Sequence, residues 1–352
     1  MIYFNCDYNE GAHEKIMQRL LETNMEQTPG YGCDKHCEHA RELIRNRIQC
    51  PKADVHFLVG GTQTNTTVIS AALRPYQGVI AADTGHINVH ETGAIEATGH
   101  KVLALETEDG KITAQQIESV YLSHRNDGSA EHTVQPKMVY ISQPTELGTL
   151  YSLSELTDIS EVCRKNDMYL FVDGARLGYG LAAKGNDVEL SDLARISDVF
   201  YIGGTKQGLL FGEAVVIIDD ILKKDFRYMI KQKGGMLAKG RLLGVQFETV
   251  FEDDLYTDMA KHAIMLADKL RDVFKEKNIK FLVENNTNQL FPILSDKILD
   301  KLSEKYCFEY QKRIDDCHSA VRFCTSWATK EESVDMLCND LLQMVDKIPM
   351  SL

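Results

Sequence analysis

The chain alternates between short apolar runs and longer segments in which apolar residues recur at helical spacing. The apolar runs before residue 220 are 55–61, 79–83, 101–106, 138–142, 169–175, 199–204 and 213–219. Apolar runs without polar alternation are typical of strands covered on both faces, and strand–helix alternation predicts a mainly parallel sheet. We therefore expect a three-layer α/β domain built around seven strands.

Helical segments are predicted between these strands, at 65–74, 113–122, 153–166 and 189–196. The last two strands are separated only by "TKQGLLFG", which is too short for a helical crossover, so this pair is expected to be antiparallel. From about residue 250 the pattern changes, to a long amphipathic helix and further strand-like runs at 259–277, 280–285, 290–294 and 320–327. The pattern predicts a large domain over 1–250, which includes the N-terminal segment, and a small α+β domain over 251–352.

Composition and charge indicate which kinds of binding partner and which cellular compartment the chain suits. Of the 352 residues, 43% are hydrophobic and 26% are charged, as in ordinary globular proteins, and the formal net charge is −13. This acidity argues against a nucleic acid or an anionic membrane as partner. The nine scattered cysteines predict free thiols in a reducing compartment. The start "MIYFNCDYNE" lacks signal-peptide features, and no apolar run is long enough to span a membrane, so we expect a cytoplasmic protein.

The stretch "CDKHCEHA" at 33–40 is dense in residues that can bind metals. Its spacing is not that of a standard zinc site, and no second cluster completes a set of four ligands. Residues 33–48 also have the pattern of a helix, with Leu43, Ile44 and Ile48 on its apolar side. We therefore expect a partly exposed helix here and no metal site.

Polar residues follow the predicted strands at their carboxyl ends, where ligands bind in open α/β sheets. "GGTQTN" at 60–65 offers free backbone amides at a helix start, which suits a phosphate. Asp173 follows a buried strand and can keep a heterocyclic nitrogen protonated, while Arg176 can grip a carboxylate. Lys206 follows the next strand, where its amine can form a Schiff base with an aldehyde cofactor.

These features together form the minimal set for pyridoxal 5′-phosphate (PLP). Each one alone also has a structural explanation, since a glycine turn, a buried Asp–Arg pair or a solvated loop lysine needs no ligand. Their order and their placement at strand ends favour the cofactor. His86 lies just past another strand end and can stack on a flat pyridine ring, with His90 and Glu91 nearby.

At this point the chain resembles a known family. "GGTQTN", "GHINVHETGAIE", "VDGARLG" and "GGTKQGLLFGEA" are similar to signature stretches of the low-specificity L-threonine aldolases, which belong to the β-eliminating lyase group of fold-type I PLP enzymes. The resemblance runs from "NCDYNEGAH" to "VRFCTSWAT". It implies the PLP-dependent transferase-like fold and cleavage of a β-hydroxy-α-amino acid to glycine and an aldehyde. It also implies a homodimer or homotetramer whose active sites are shared between subunits.

The resemblance implies roles for individual residues toward the cofactor. By matching position, Lys206 is the lysine that binds PLP covalently, Asp173 contacts the pyridine nitrogen and His86 stacks on the ring. The other cofactor-binding positions that it implies are Gly61, Thr62, Thr205 and Lys239.

Toward the substrate, the resemblance implies that Arg176 and Arg322 hold the carboxylate, beside the turn that contains Cys6. Tyr31 and Lys239 are expected to reach the site of a neighbouring subunit. The substrate is thus a small amino acid held partly by a second chain.

The sequence departs from the family pattern at two places. A typical Arg-Ser-Asp-Thr stretch is replaced by residues 5–8, Asn-Cys-Asp-Tyr, so the serine at the carboxylate site is missing. A Thr-His-Asn-Gly turn is replaced by residues 145–148, Thr-Glu-Leu-Gly. The histidine of that turn contacts the substrate hydroxyl in the family, so Glu146 and His86 are the candidate catalytic bases here.

Two other functions are compatible with the same residues. A PLP-dependent β-elimination on another amino acid would use the same pocket, with Lys206 as the base for the Cα proton. A cofactor-free α/β scaffold would instead bind a partner and keep Lys206 as a solvated loop residue.

Overall fold

The computed structural model describes residues 1–345, and a seven-stranded sheet lies at its centre. The strands are β1 Ile2–Tyr3, β2 Asp54–Leu58, β3 Gln77–Ala82, β4 Val102–Leu105, β5 Gln135–Ser142, β6 Tyr169–Asp173, β7 Val199–Gly203, β8 Glu213–Ile217, β9 Gln289–Leu290, β10 Ile293–Ser295, β11 Tyr306–Cys307, β12 Glu309–Arg313 and β13 His318–Cys324. Strands β2 to β8 form the central sheet and correspond to the seven predicted apolar runs.

Helices cover both faces of this sheet and continue into the C-terminal part. They are α1 Glu14–Thr23, α2 Lys35–Arg47, α3 Gly61–Ala72, α4 His86–Val89, α5 Ala114–Arg125, α6 Leu153–Lys165, α7 Leu177–Ala182, α8 Leu190–Ile196, α9 Asp220–Lys223, α10 Phe226–Gln232, α11 Arg241–Glu252, α12 Leu255–Glu276, α13 Asp296–Ser303 and α14 Glu331–Val345. Capping boxes at Thr113 and Ser152 begin α5 and α6, close to the predicted starts.

The strand order in the central sheet is β2-β8-β7-β6-β5-β3-β4. β8 is antiparallel to both β2 and β7, whereas the other neighbours are parallel. The predicted antiparallel pair is thereby confirmed. Because β8 runs against its neighbours, its amino end lies at the same edge as the carboxyl ends of the other strands.

The sheet is buried on both faces, as the apolar runs predict. Successive residues point to opposite sides, so Phe200 and Val216 pack into one core and Tyr201 and Val215 into the other. Each such side chain contributes about 1.5–3 kcal/mol through burial. The result is the predicted three-layer α/β architecture.

The C-terminal part contains a second, smaller sheet of β10, β13 and β12, with β9 also paired to β13. The predicted strand over 280–285 is wrong, because the segment pairs only through an isolated bridge between Phe281 and Pro292. It then turns away, since the Asn285 side chain donates to the carbonyl of Leu147 at 3.0 Å. Strands β11 and β12 were not predicted, because β12 is largely exposed and has no apolar run.

The first residues of the chain pack with this C-terminal part. β1 pairs in parallel with β11, and Phe4 is buried against Tyr306 and Phe323. The division at residue 250 stays a prediction, and residues 346–352 of the predicted small domain lie outside the described part. None of the helices within residues 1–345 is long and apolar enough to cross a membrane.

Candidate active site

A cleft of about 310 Å³ opens at the edge of the sheet where the parallel strands end. It brings together most of the residues singled out in the sequence. The predicted site residues that line it are Gly61, Thr62, His86, Glu146, Asp173, Arg176, Thr205 and Lys206. The strand ends therefore converge on one site, as the parallel topology predicts.

Lys206 lies three residues past the end of β7, in the loop to β8. Its backbone carbonyl accepts a hydrogen bond from the Tyr179 hydroxyl at 2.6 Å, which fixes the main chain. Within residues 1–345 its ammonium makes no hydrogen bond or ion pair. Burial and the nearby charge of Arg176 lower the pKa of Lys206 below its ordinary value. A lowered pKa makes the neutral amine, which is the form that attacks an aldehyde, easier to reach.

Asp173 is the last residue of β6 and is buried. Its carboxylate accepts hydrogen bonds from the Tyr140 hydroxyl, from the Asn65 amide at 3.4 Å and from the backbone amide of Ala175 at 2.9 Å. These donors hold a buried negative charge in one orientation at the floor of the cleft.

The first turn of α3 forms one wall of the cleft. Its N-cap residue is Gly60, which offers no capping side chain, so the backbone amides of Gly61 and Thr62 have no partner within the helix. A Cβ on Gly61 would lie 3.2 Å from the Tyr201 hydroxyl, so a larger residue would crowd the cleft. Free amides at a helix start provide an anion site.

Thr205 and Glu213 face this wall. The Thr205 hydroxyl donates to Glu213 Oε1 at 2.9 Å and accepts from the Gly212 amide at 3.0 Å. Glu213 Oε2 accepts from the Gly204 amide at 3.1 Å. Burial raises the pKa of Glu213 to about 8, although the Thr205 hydrogen bond and the charge of Lys206 oppose this shift.

His86 is oriented by a buried carboxylate. Its Nδ1 lies 2.8 Å from Glu91 Oε1, which also accepts from the Asn65 amide at 2.7 Å. The tautomer of His86 that donates from Nδ1 to this carboxylate leaves Nε2 as the free ring nitrogen.

Glu146 also lines the cleft and lies beside His86. Its Oε1 accepts from the Ser142 hydroxyl at 2.7 Å and from the backbone amide of His86 at 2.8 Å. Burial and the charge of Asp173 raise the pKa of Glu146, although the Ser142 hydrogen bond opposes them. A carboxylate with a raised pKa and an unshared oxygen is suited to proton transfer.

Arg176 is held by Asp7 through two hydrogen bonds, from Nε at 2.7 Å and from Nη2 at 3.1 Å. Asp7 also accepts from the Asn288 amide at 2.9 Å. Burial alone would raise the pKa of Asp7, but the charges of Arg176 and Lys206 lower it below its usual value. The guanidinium is therefore fixed in direction, with Nη1 left for a ligand.

Arg322 and Cys6 lie next to the cleft rather than in its lining. Arg322 Nη2 donates to the carbonyl of Asn5 at 2.9 Å, and its buried Nε has no partner in the described part of the chain. The Cys6 thiol is turned to the Asn9 side chain at 3.1 Å, and burial raises its pKa.

Tyr31 and Lys239 lie apart from the cleft, and close to each other. The backbone amide of Tyr31 donates to the carbonyl of Ala238 at 3.1 Å, and both Tyr31 and Lys239 are exposed. Neither residue lines the cleft of its own chain.

The donor set of the cleft fits a phosphorylated pyridine aldehyde. The α3 amides suit the phosphate, Asp173 suits a protonated ring nitrogen and the amine of Lys206 suits the aldehyde. His86, with its ring at the same edge, is available for stacking.

Most of the stretch "CDKHCEHA" lies in α2, as predicted, with Asp34 as the N-cap residue, and its histidines pair with glutamates. His36 contacts Glu248 at 2.7 Å through Nδ1 and Glu26 at 3.0 Å through Nε2, and His39 contacts Glu248 at 2.8 Å. We call these four residues the helix-pair cluster, because His36 and His39 on α2 face Glu248 on α11.

Some residues that line the cleft, or that support its lining as Tyr140 supports Asp173, were missed in the sequence. Tyr140 and Tyr201 lie inside strands, where nothing in the pattern distinguishes them from core residues. Glu213 had a usable signal, because it begins the antiparallel strand β8 and so lies at the ligand edge. A search restricted to the carboxyl ends of strands misses Glu213, because it lies at the amino end of β8.

Comparisons with known proteins agree with this site. The family model for beta-eliminating lyases matches residues 7–297. A low-specificity L-threonine aldolase from Pseudomonas aeruginosa is 30% identical over 342 residues, which cover 96% of each chain.

Solved structures are similar as well. A threonine aldolase from Leishmania major has a TM-score of 0.95 and 44% identity, over 98% of this chain and 100% of that one. Aspartate aminotransferase from Thermus thermophilus, at 14% identity and a TM-score of 0.71 over 99% and 92% of the chains, shares the fold. The chain therefore belongs to the beta-eliminating lyase family of PLP-dependent enzymes, alongside the low-specificity L-threonine aldolases.

Proposed function

We propose that this enzyme cleaves a β-hydroxy-α-amino acid of the L-threonine or L-allo-threonine type to glycine and an aldehyde, with PLP as its cofactor. One observation carries the proposal: the unpartnered amine of Lys206, the buried carboxylate of Asp173 and the free amides of α3 meet in one cleft. The relatives named above support cleavage between Cα and Cβ.

We assign the site residues as follows. Lys206 holds the cofactor, Asp173 keeps its ring nitrogen protonated, and the α3 amides with Thr205 hold its phosphate. When bound, PLP takes up the electron pair left by the broken bond. Arg176, aligned by Asp7, and Arg322 hold the substrate carboxylate and so set which bond at Cα is aligned for cleavage.

Glu146 is our candidate for the base that removes the proton of the β-hydroxyl. By resemblance it corresponds to the missing family histidine, and no other described residue donates a hydrogen bond to its Oε2. His86 Nε2 is the second candidate, because Glu91 holds its ring with that nitrogen free.

The product assay tests the reaction. Purified enzyme loaded with PLP is given L-threonine, L-allo-threonine or L-phenylserine, and aldehyde, glycine, ammonia and keto acid are measured. We expect aldehyde and glycine in equal amounts. Ammonia with a keto acid, and no glycine, would contradict the proposal and indicate β-elimination.

The variant Glu146→Gln tests the base. It should retain the visible absorption of bound PLP and lose about 100-fold or more in kcat, because an amide cannot accept the proton. Glu108→Gln, an exposed change, serves as the matched control. In the parent enzyme kcat should fall as the pH drops through the raised pKa of Glu146, and this limb should vanish in the variant. Unchanged turnover in Glu146→Gln would overturn the assignment.

We further propose a homodimer or homotetramer in which Tyr31 and Lys239 complete the cleft of a neighbouring subunit. Both are exposed and lie outside their own cleft, which supports this role. Helix α1 and the second residue beyond it also present exposed apolar side chains at four-residue spacing, Met17, Leu21 and Met25. Such a stripe is typical of an interface.

Hybrid oligomers test the shared site. Lys206→Ala and Lys239→Ala are purified separately, then mixed under conditions that allow subunit exchange. A shared site predicts recovery to about a quarter of parent activity, because half of the dimers regain one intact site. No recovery in a mixture that has exchanged would contradict it.

We also infer a cytoplasmic location. All nine cysteines are free thiols, which supports a reducing compartment. Fractionation of source cells with an antibody to the chain tests this.

A further inference from the structure

Glu213 is a buried carboxylate in a cleft that we assign to an anion. It lines the cleft together with Gly61 and Thr205. An ionised carboxylate there would repel the phosphate of the cofactor, since like charges at short range raise each other's energy in a site with little water. The position of Glu213 therefore calls for an explanation.

The hydrogen bonds of the Thr205 hydroxyl explain why a carboxyl group lies at this position. The hydroxyl has a single hydrogen, which it donates to Glu213 Oε1, and one of its lone pairs already accepts from the Gly212 amide. While Glu213 is ionised and can only accept, Thr205 has no hydrogen left for a phosphate oxygen.

A proton on Glu213 Oε1 reverses this hydrogen bond. The carboxylic acid then donates to the second lone pair of Thr205, and the hydroxyl hydrogen becomes free to point into the cleft. The Gly204 amide still donates to Oε2, so the side chain keeps its place. The same proton also removes the charge that repels the phosphate.

We propose that Glu213 takes up one proton from solvent when phosphate binds, and thereby switches the Thr205 hydroxyl from Glu213 to the phosphate. Glu213 is a positioning residue in this account, since it acts through Thr205. The inference rests on the proposed function in placing a phosphate at this wall.

The surroundings of Glu213 agree with a proton that can be exchanged near neutral pH. The charged or titratable groups that interact with it are Lys206 from the loop before β8, Asp173 from β6, Tyr201 from β7 and Tyr256 from α12. Burial raises the pKa of Glu213 to about 8, so the free chain holds this carboxyl partly ionised at that pH. An incoming dianion raises that pKa further.

The test is calorimetric and uses the full chain freed of PLP. The probe is pyridoxine 5′-phosphate, which carries the phosphate but no aldehyde and so forms no bond with Lys206. Binding is measured at pH 8 in buffers of different ionisation enthalpy, which reports the number of protons taken up. The variant Glu213→Gln is the comparison, because its amide donates to Thr205 permanently and mimics the protonated state.

At pH 8 we expect the parent chain to take up about half a proton more per bound probe than Glu213→Gln does. Between pH 8 and 9 the affinity of the parent should fall about fivefold relative to that of Glu213→Gln. Thermal unfolding of both chains checks that Glu213→Gln is folded.

The outcomes separate the two proposals. Binding with equal proton uptake in both chains overturns the role of Glu213 and leaves the cofactor site intact. No binding of the probe to either folded chain overturns the phosphate site itself, and the role of Glu213 with it.

Discussion

In the helix-pair cluster, His36 bridges Glu248 and Glu26 and each charged group has a partner, whereas in the cleft Lys206 has none. Both regions combine buried histidine or lysine with buried glutamate, and both join elements distant in sequence. The polar side chains of the cluster find their partners within it, so their hydrogen bonds stabilise the contact between α2 and α11. The cleft leaves an amine, helix amides and carboxylate oxygens unmatched, so it is built to receive a ligand.

This comparison teaches that the density of reactive residue types does not locate chemistry. "CDKHCEHA" is the densest run of histidine and cysteine in the chain. Its two histidines both contact Glu248, and the buried thiol of Cys37 donates to the carbonyl of Gly240. What distinguishes the cleft is the lack of internal partners for groups that are costly to bury alone.

The largest expected effect comes from Lys206→Ala. It should abolish the visible absorption of bound PLP and lower kcat by about a thousandfold or more, because no amine remains to hold the cofactor. The free energy of unfolding should not fall, since the lost ammonium had no partner in the described chain. Lys224→Ala, an exposed lysine, is the control. A colourless parent protein that Lys206→Ala leaves unaltered would favour a cofactor-free scaffold.

His36→Ala should show the opposite profile. Removal of the bridging imidazole leaves the carboxylates of Glu26 and Glu248 without the partner between them, and one of the two is buried, so the free energy of unfolding should fall by about 3 kcal/mol. PLP absorption and kcat of the folded enzyme should not change. The half-exposed His39→Ala should cost only about 1 kcal/mol. Denaturant titration measures both, and a loss of kcat without a loss of stability would contradict the structural role.

The variant Glu91→Gln tests whether the orientation of the His86 ring affects turnover. Without the carboxylate on Nδ1, the His86 ring loses its fixed orientation, and kcat should fall about tenfold. Glu96→Gln, exposed and nearby, should behave like the parent. A parent-like kcat in Glu91→Gln would show that the orientation of His86 does not limit turnover.

The smallest effect is expected for Tyr140→Phe. Asp173 keeps its bonds to Asn65 and Ala175, so the loss of one hydroxyl should cost about 1 kcal/mol, or about a fivefold loss in kcat. Steady-state kinetics at saturating PLP measure it. A loss as large as that of Lys206→Ala would mean that Tyr140 has a direct role.

Much of the fold was predictable, because strands buried on both faces must be mostly apolar, as β7 is along its whole length and as β3 and β8 are after their first residues, Gln77 and Glu213. The exposed strand β12 carries no such pattern and was missed. The false strand at 280–285 is apolar at 281–283, but Asn285 at its end and Asn286 just after it bond to loops instead of continuing a ladder.

The site was predictable as far as parallel topology places strand ends together. The two hydrogen bonds from Arg176 to Asp7 and the one from the Tyr140 hydroxyl to Asp173 depend on tertiary distances, which one sequence does not contain. Glu213 could have been predicted, although it was missed. The antiparallel direction of β8 was predicted, and this direction places the first residue of β8 at the edge of the sheet where ligands bind.

The most direct test of the account is to locate the cofactor in the chain. The PLP-loaded enzyme is treated with borohydride, which makes the link between lysine and cofactor permanent, then digested and mapped by mass spectrometry. The account predicts a pyridoxyl group on the peptide that contains Lys206, and its disappearance when substrate or the Lys206→Ala change is present. A pyridoxyl group on another lysine, or on none, would contradict it.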